Sequence, residues 1–148
     1  MADTIREQLG AAFVTLIGGV GKPAALTVAR GRVLDLDAAA LPLTTVFNIR
    51  ESRLDEELDE VLEWDLELGV ETTVKASGQS SDEELDPILS WTHKAILADR
   101  RLGGLAQNVG IVSTQWEREQ LAEPYGRALQ VFRVKYHTDE DDPTAGAS

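Results

Sequence analysis

Residues 61–76 read VLEWDLELGVETTVKA, and the alternation within them decides the class of fold. Apolar side chains occupy every second position from Leu62 to Val70, and again at Val74. Four carboxylates stand between them, at Glu63, Asp65, Glu67 and Glu71. A period of two predicts a β-strand with one apolar and one polar face. The run is much longer than a typical strand of about five or six residues.

An amphipathic helix is predicted before this strand, over residues 3–17. Asp3 or Thr4 can cap it, and Glu7 lies three residues after Thr4, as in a capping box. The apolar positions at helical spacing are Ile5, Leu9, Ala12, Phe13 and Leu16. A pair of glycines then ends the pattern.

The connection from Val20 to Pro42 has little periodicity, and we expect an extended segment with room for one short strand. A strand rich in β-branched residues follows at about Thr44–Ile49. Two further strands are predicted at about residues 108–118 and 126–138, with a turn between them.

A second helix has two competing starts. Ser81 and Glu84 form a capping box, but that start leaves Pro87 in the helix interior. Asp86 as the cap places Pro87 at the first helical position, where its missing N–H costs nothing, and we prefer this start, with room for one looser turn before it. The buried positions are then Ile88, Leu89, Thr92, Ala95 and Ile96. Glycine at 103–104 suits the C-terminal cap.

The order of these elements predicts an α+β fold: a mainly antiparallel sheet of about four strands, with two helices packed on one face. The predicted core consists of Leu9, Phe13, Leu66, Leu68, Val70, Leu89, Ile96, Leu105, Phe132, Val134 and Tyr136. Residues 1–138 form the expected single domain. The acidic tail at 139–148 has no apolar anchor, and we expect it to be disordered.

A cluster of acids precedes the long strand, at Asp55, Glu56, Glu57, Asp59 and Glu60. Such a run is usually a solvated loop, and that interpretation stays open here. The alternative is an assembly loop that becomes ordered only against a partner.

The composition excludes several classes of function. The chain of 148 residues carries 26 acidic and 14 basic side chains, a formal net charge of −12. Binding to nucleic acid phosphates or anionic membranes requires the opposite charge. There are no cysteines, which excludes disulfides, zinc thiolates and iron–sulfur clusters. With no signal-peptide pattern or membrane span, we expect a protein used without secretion.

No catalytic or metal-binding motif is recognisable, and we expect neither an enzyme nor a cofactor. The stretch GGVGKP at 18–23 departs from a phosphate loop at two positions, Leu16 and Pro23. His93 and His137 lie outside any ligand spacing, and we interpret both as surface or interface residues. Trp64, Trp91 and Trp116 fit strand or helix patterns, which favours packing or interface roles over sugar stacking.

The order of segments resembles the tail terminator and minor tail proteins of long-tailed bacteriophages, the group that includes the lambda minor tail protein U. The resemblance spans roughly residues 3–138. Its most specific pieces are ADRRLGGLA at 98–106 and VFRVKYHT at 131–138. These are soft patterns without catalytic signatures.

The resemblance implies a structural role in the virion, at the junction of tail and neck, after assembly in the host cytoplasm. Its members form a hexameric ring on the tail tube, end tube polymerisation and present the surface that joins the head connector. DNA would pass through the ring without specific binding. The alternatives are another neck or head-completion adaptor, a tail tube protein, or a cytoplasmic module that binds a ligand or protein.

A ring also suggests roles for the long strand. Its length would provide a sheet edge for pairing between subunits. Its carboxylates at positions 63, 65, 67 and 71 would either face solvent or line the channel, where they would repel passing DNA. Both locations stay open from the sequence.

Overall fold

The computed structural model describes residues 3–31, 41–54, 61–75, 81–119, 125–139 and 142–146. Within these ranges, two helices pack on one face of a sheet of six strands. The elements are α1 (Ile5–Ile17), β1 (Thr27–Arg30), β2 (Leu43–Arg53), β3 (Val61–Lys75), α2 (Ser81–Leu97), β4 (Asn108–Glu119), β5 (Tyr125–Asp139) and β6 (Asp142–Gly146). The α+β class agrees with the prediction. The described sheet differs in having six strands instead of about four, and it is mixed because β1 runs parallel to β2.

The long strand β3 lies in the middle of the sheet. The strand order is β1-β2-β3-β5-β4, with β6 paired to β5. β3 is antiparallel to β2 on one side and to β5 on the other, and all 15 of its residues pair with β5. The hypothesis that β3 offers an edge to a neighbouring subunit is therefore wrong. In the described part of the chain, the edge strands of the main sheet are β1 and β4.

The core lies between the helices and the alternate residues of the central strands. Phe13 of α1 meets Phe132 of β5 edge to face, with ring centroids 5.6 Å apart. Ten predicted core residues are buried: Leu9, Phe13, Leu66, Leu68, Val70, Leu89, Ile96, Phe132, Val134 and Tyr136. Leu105 is half-buried and packs against them. Leu26 and Leu85 are also buried here, and the core prediction lacked both.

The start of α1 follows the predicted capping pattern only in part. Thr4 is the cap, and its hydroxyl accepts a hydrogen bond from the Glu7 backbone N–H at 3.2 Å. The Glu7 carboxylate turns away and pairs with Arg30 at 3.3 Å. α1 is thereby tied to the edge strand β1. Neither helix among the described residues has the length and hydropathy needed to cross a membrane.

α2 begins at Ser81, so the preferred start at Asp86 is wrong and Pro87 lies inside the helix. The reason is burial of Leu85, which is 1% exposed. Burial of this side chain stabilises the first turn and offsets the loss of the one backbone hydrogen bond that proline cannot make. The helix also ends at Leu97, before the glycines, which lie instead in a following 3₁₀ turn at Leu102–Gly104.

The end of the chain differs from the predicted disordered tail. Asp142–Gly146 forms the short strand β6 beside the end of β5. The Asp142 carboxylate accepts hydrogen bonds from the backbone N–H and the hydroxyl of Thr144. Backbone pairing and this local turn order the segment without an apolar anchor. The predicted assembly loop at 55–60 lies outside the described residues.

A polar cluster ties α1 to the sheet through three elements. Glu51 of β2 accepts a hydrogen bond from the Tyr136 hydroxyl of β5. Its other carboxylate oxygen accepts one from Arg6 of α1 at 2.7 Å. Burial, followed by the hydrogen bond to Glu51, raises the pKa of the Tyr136 hydroxyl well above its ordinary value.

Candidate functional site

The sheet face opposite the helices, called here the outer face, carries the four carboxylates of β3. Alternate residues of β3 are buried on the helix side, so Glu63, Asp65, Glu67 and Glu71 point the other way. These four residues are half-buried even though no helix of the described chain covers them. Side chains of the neighbouring strands must therefore shield them.

The strand register shows what shields the carboxylates. Directly opposite on β5, Lys135 faces Asp65 and Arg133 faces Glu67. Arg133 contacts both acids, at 3.1 Å from Asp65 and 3.6 Å from Glu67. From the other side, Arg50 of β2 approaches Glu67 to 4.0 Å. The Asp65 and Glu67 side chains are only 12% and 18% exposed.

We call this set the charged array: Arg50, Glu63, Asp65, Glu67, Glu71, Arg127, Arg133 and Lys135. In this array, bases from both neighbouring strands are interleaved with the acids of β3. The alternating bases at 127, 133 and 135 are visible in the sequence. Their pairing with β3 is not, since register is a property of the folded sheet.

A second candidate region is the edge strand β4. Trp116 is 53% exposed, although it lies on the helix side of the sheet opposite Ala128. Val112 is 49% exposed and is the extra residue of a bulge between Ile111 and Ser113. The other two tryptophans make hydrogen bonds within the fold. The indole N–H of Trp64 donates to the Thr138 hydroxyl, and that of Trp91 donates to the Ile17 carbonyl, each at 2.9 Å.

Beside Trp116 lies a surface groove between β4 and α2, called here the β4 groove. Its wider part has a volume of about 570 Å³ and is lined by Asp82, Glu83, Asp86, Pro87 and Trp116. A continuation of about 320 Å³ shares Asp86 and Trp116 and adds Leu89, Ser90, His93, Thr114 and Gln130. Three carboxylates and no lysine or arginine line it among the described residues.

The histidine, aspartate and glutamate side chains of the described ranges are dispersed. No three histidine, aspartate or glutamate side chains there are grouped so as to hold a metal ion. His93 and His137 are half-buried, and His137 Nδ1 lies 2.9 Å from the Gln107 amide nitrogen. The arrangement is suited to contacts between surfaces: a charge-compensated sheet face and an edge with an exposed tryptophan.

Comparison with known proteins gives weak structural similarity and no sequence match. No family model matches the sequence, and no curated protein matches it. Among solved structures, the chain is similar to a component of the virion of a native gene transfer agent (GTA) particle. The two are 14% identical, the alignment covers 89% of this chain and 90% of that chain, and the TM-score is 0.40.

Proposed function

We propose that this protein is a structural ring subunit that caps the tube of a phage-type tail, ends its polymerisation and provides the surface to which the head connector binds. The proposal names the tail tube protein and the connector as partners. It places the protein at the tail–neck junction of a virion. It requires no catalytic group and no cofactor.

The observation that carries the proposal is the pair of sheet edges at opposite ends of the molecule. β1 and β4 are separated by the three strands β2, β3 and β5. A subunit with two different contact regions on opposite sides can bind head to tail, and rotation closes such a chain into a ring. The resemblance over residues 3–138 supports the same class of assembly.

The charged array supports passage of DNA without binding. A ring that conducts DNA must not hold the phosphates, because each phosphate contact with an arginine or lysine adds to affinity. Here Arg133 contacts both Asp65 and Glu67, and Arg50 lies 4.0 Å from Glu67. If this face lines the channel, its acids act by compensating the bases of the neighbouring strands.

Deletion of the gene in the producing particle tests the proposal. We expect over-long tails that carry no heads, because nothing stops the tube from growing. Restoring the gene in trans should restore normal tail length. Tails of normal length on a deletion background would contradict the terminator role.

The same experiment separates the neighbouring roles. A tail tube protein would leave no tubes when deleted, and its purified chain would stack into long tubes. A neck adaptor would leave tails of normal length and full heads that leak DNA. A ligand-binding module would leave particle morphology unchanged.

A further inference from the structure

The connection from α2 to β4 is a turn whose backbone is fixed by hydrogen bonds. It comprises residues 99–105 and is called here the arginine turn. The Asp99 carboxylate accepts hydrogen bonds from the backbone N–H groups of Arg101 and Gly103, at 3.3 and 2.9 Å. The Arg101 carbonyl accepts one from the Ala106 N–H at 2.9 Å. These bonds define one conformation for the turn.

Leu102 anchors the arginine turn in the core. Its side chain is 4% exposed, and its φ of 48° lies in the left-handed region that residues with a Cβ rarely adopt. Gly103 and Gly104 continue in this region, with φ of 68° and 95°, and a Cβ at either would meet no atom within 4 Å. The two glycines therefore leave open space beside the turn. Strained backbone of this kind clusters at ligand-binding and switch regions.

The guanidinium groups of Arg100 and Arg101 have no acid partner among the described residues. Both side chains are exposed, and neither makes an ion pair or a side-chain hydrogen bond with that part of the chain. Four other arginines each form an ion pair within the subunit: Arg6, Arg30, Arg50 and Arg133. In a chain with 26 acids and 14 bases, the two adjacent arginines are thus an exposed positive site on a negative molecule.

Neither arginine is needed to complement the end of α2. The helix ends at Leu97, and the favourable effect of positive charge at a helix C-terminus falls off within the last turn, where Lys94 already lies. Arg100 and Arg101 come after that turn. The neighbouring Asp99 carboxylate is engaged by the backbone. Both guanidinium groups are therefore available to a partner.

We propose that Arg100 and Arg101 bind carboxylates on the surface of a different protein, stacked on one face of the ring. This inference rests on the proposed ring and names the chemistry of one of its axial contacts. Charge complementarity selects the partner, because guanidinium groups bind carboxylates in a bidentate geometry. Rotational symmetry brings every copy of the arginine turn to the same face of the ring, so several weak pairs act together.

The position of the arginine turn separates this contact from the contact between subunits. The turn precedes β4, and the Gln107 N–H donates to the Lys135 carbonyl at 2.8 Å, near the end of β5. It therefore lies at the ends of the strands, whereas the proposed ring contact uses the sheet edges. DNA is a poorer occupant, because two arginines supply few phosphate contacts and the net charge of −12 repels phosphates.

A variant with Arg100→Glu and Arg101→Glu, supplied in trans to the gene-deletion strain, tests the contact. We expect the titre of infectious particles to fall more than about tenfold, because each lost pair weakens affinity up to about fivefold and a ring loses several at once. Over-long tails would place the acidic partner on the tube, and headless tails of normal length would place it on the connector. Normal particles from this variant would overturn the proposal, and over-long tails in the uncomplemented strain would show that the proposed function still stands.

Matched variants separate charge at the arginine turn from charge in general. Lys94 is also exposed, and Lys94→Glu makes the same charge change as Arg101→Glu. We expect Lys94→Glu to leave the titre within about twofold of wild type. Second-site suppressors of the double variant should replace an aspartate or glutamate of a partner protein by lysine or arginine. Equal losses in Lys94→Glu and Arg101→Glu, or suppressors found only within this chain, would contradict an acidic partner.

The purified full-length protein distinguishes an acidic partner from DNA and from a second copy. We expect wild type and the double variant to share the same midpoint of urea unfolding and the same sedimentation behaviour, and neither to bind short duplex DNA at low salt. DNA binding that is lost in the double variant would assign the arginines to phosphates. Self-association that is lost in the double variant would assign them to a second copy, and either result would refute the proposal.

Discussion

Tyr136 makes a contact that joins the sheet to α1 and that depends on its protonation state. Its hydroxyl donates to Glu51, which also holds Arg6, and the Tyr136 side chain is almost fully buried. Ionising the phenol would remove the donated hydrogen bond and place a second negative charge against Glu51. Burial first, and then the hydrogen bond to Glu51 and the charge of its carboxylate, raise the pKa of Tyr136 in the folded protein.

Stability should consequently fall at alkaline pH. Above about pH 10 the unfolded tyrosine loses its proton while the folded one keeps it, so the folded state binds more protons and its advantage decreases as pH rises. One proton corresponds to at most about 1.4 kcal/mol per pH unit. Urea unfolding of wild type and Tyr136→Phe between pH 8 and 11 should show this slope only in the wild type. Tyr125→Phe is the matched control, and an equal slope in Tyr136→Phe would contradict the assignment.

Gly69 allows Phe47 to lie across β3 on the outer face. A Cβ at position 69 would come within 2.8 Å of the Phe47 ring and 3.2 Å of Ile49. We expect Gly69→Ala to lower the free energy of unfolding by about 1–3 kcal/mol, the usual cost of overpacking. In a Phe47→Leu background the same change should be nearly neutral, because the flat ring is gone. Equal losses in both backgrounds, measured by chemical denaturation, would exclude this explanation.

For single residues, the sequence predicts interactions between neighbours in the chain well. It predicts poorly the features that depend on which of two competing interactions is stronger. Thr4 is recognisable as a cap because its bond to the Glu7 backbone is local. The start of α2 is not, because it depends on burying Leu85, a contact with residues far away in the chain. The exposure of Trp116 is likewise invisible, since alternation alone assigns it to the helix side of a strand.

At the scale of elements, the charged array predicts what happens when its acids are removed. In a variant with Glu63→Gln, Asp65→Asn, Glu67→Gln and Glu71→Gln, Arg50 and Arg133 lose their ion pairs, and Lys135 loses the acid opposite it in the register. We expect nonspecific DNA binding at low salt that the wild type lacks, with a steep loss as salt rises. Unfolding should change modestly, because partly exposed ion pairs contribute less than about 1 kcal/mol each.

The matched control neutralises the four bases of the charged array as well, with Arg50→Gln, Arg127→Gln, Arg133→Gln and Lys135→Gln added to the acid variant. DNA binding measured by anisotropy should return to the wild-type level. In particles with intact tails, the acid variant should also deliver less DNA. No DNA binding by the acid variant at the lowest salt would mean that the carboxylates of β3 do not mask these bases.

Most helices and strands can be predicted from the sequence, whereas the order of the strands within the sheet cannot. Period-two patterns over 61–76 and 126–138 predict β3 and β5 closely, because each buries one face. Strand order is set by contacts far apart in sequence, so the central place of β3 had no local signal. β1 and β6 are too short for a periodic pattern, which explains the smaller sheet that was predicted.

For the whole molecule, contacts between subunits depend more on where the charges lie than on the net charge. The outer face is compensated, so much of the net −12 comes from other regions, among them residues 55–60, the start of α2 and the chain end. Subunits that meet through β1 and β4 would bring these acids toward one another. Long-range repulsion between subunits therefore opposes assembly through these edges, and it weakens as salt shortens the screening length from about 30 Å at 0.01 M to about 10 Å at 0.1 M.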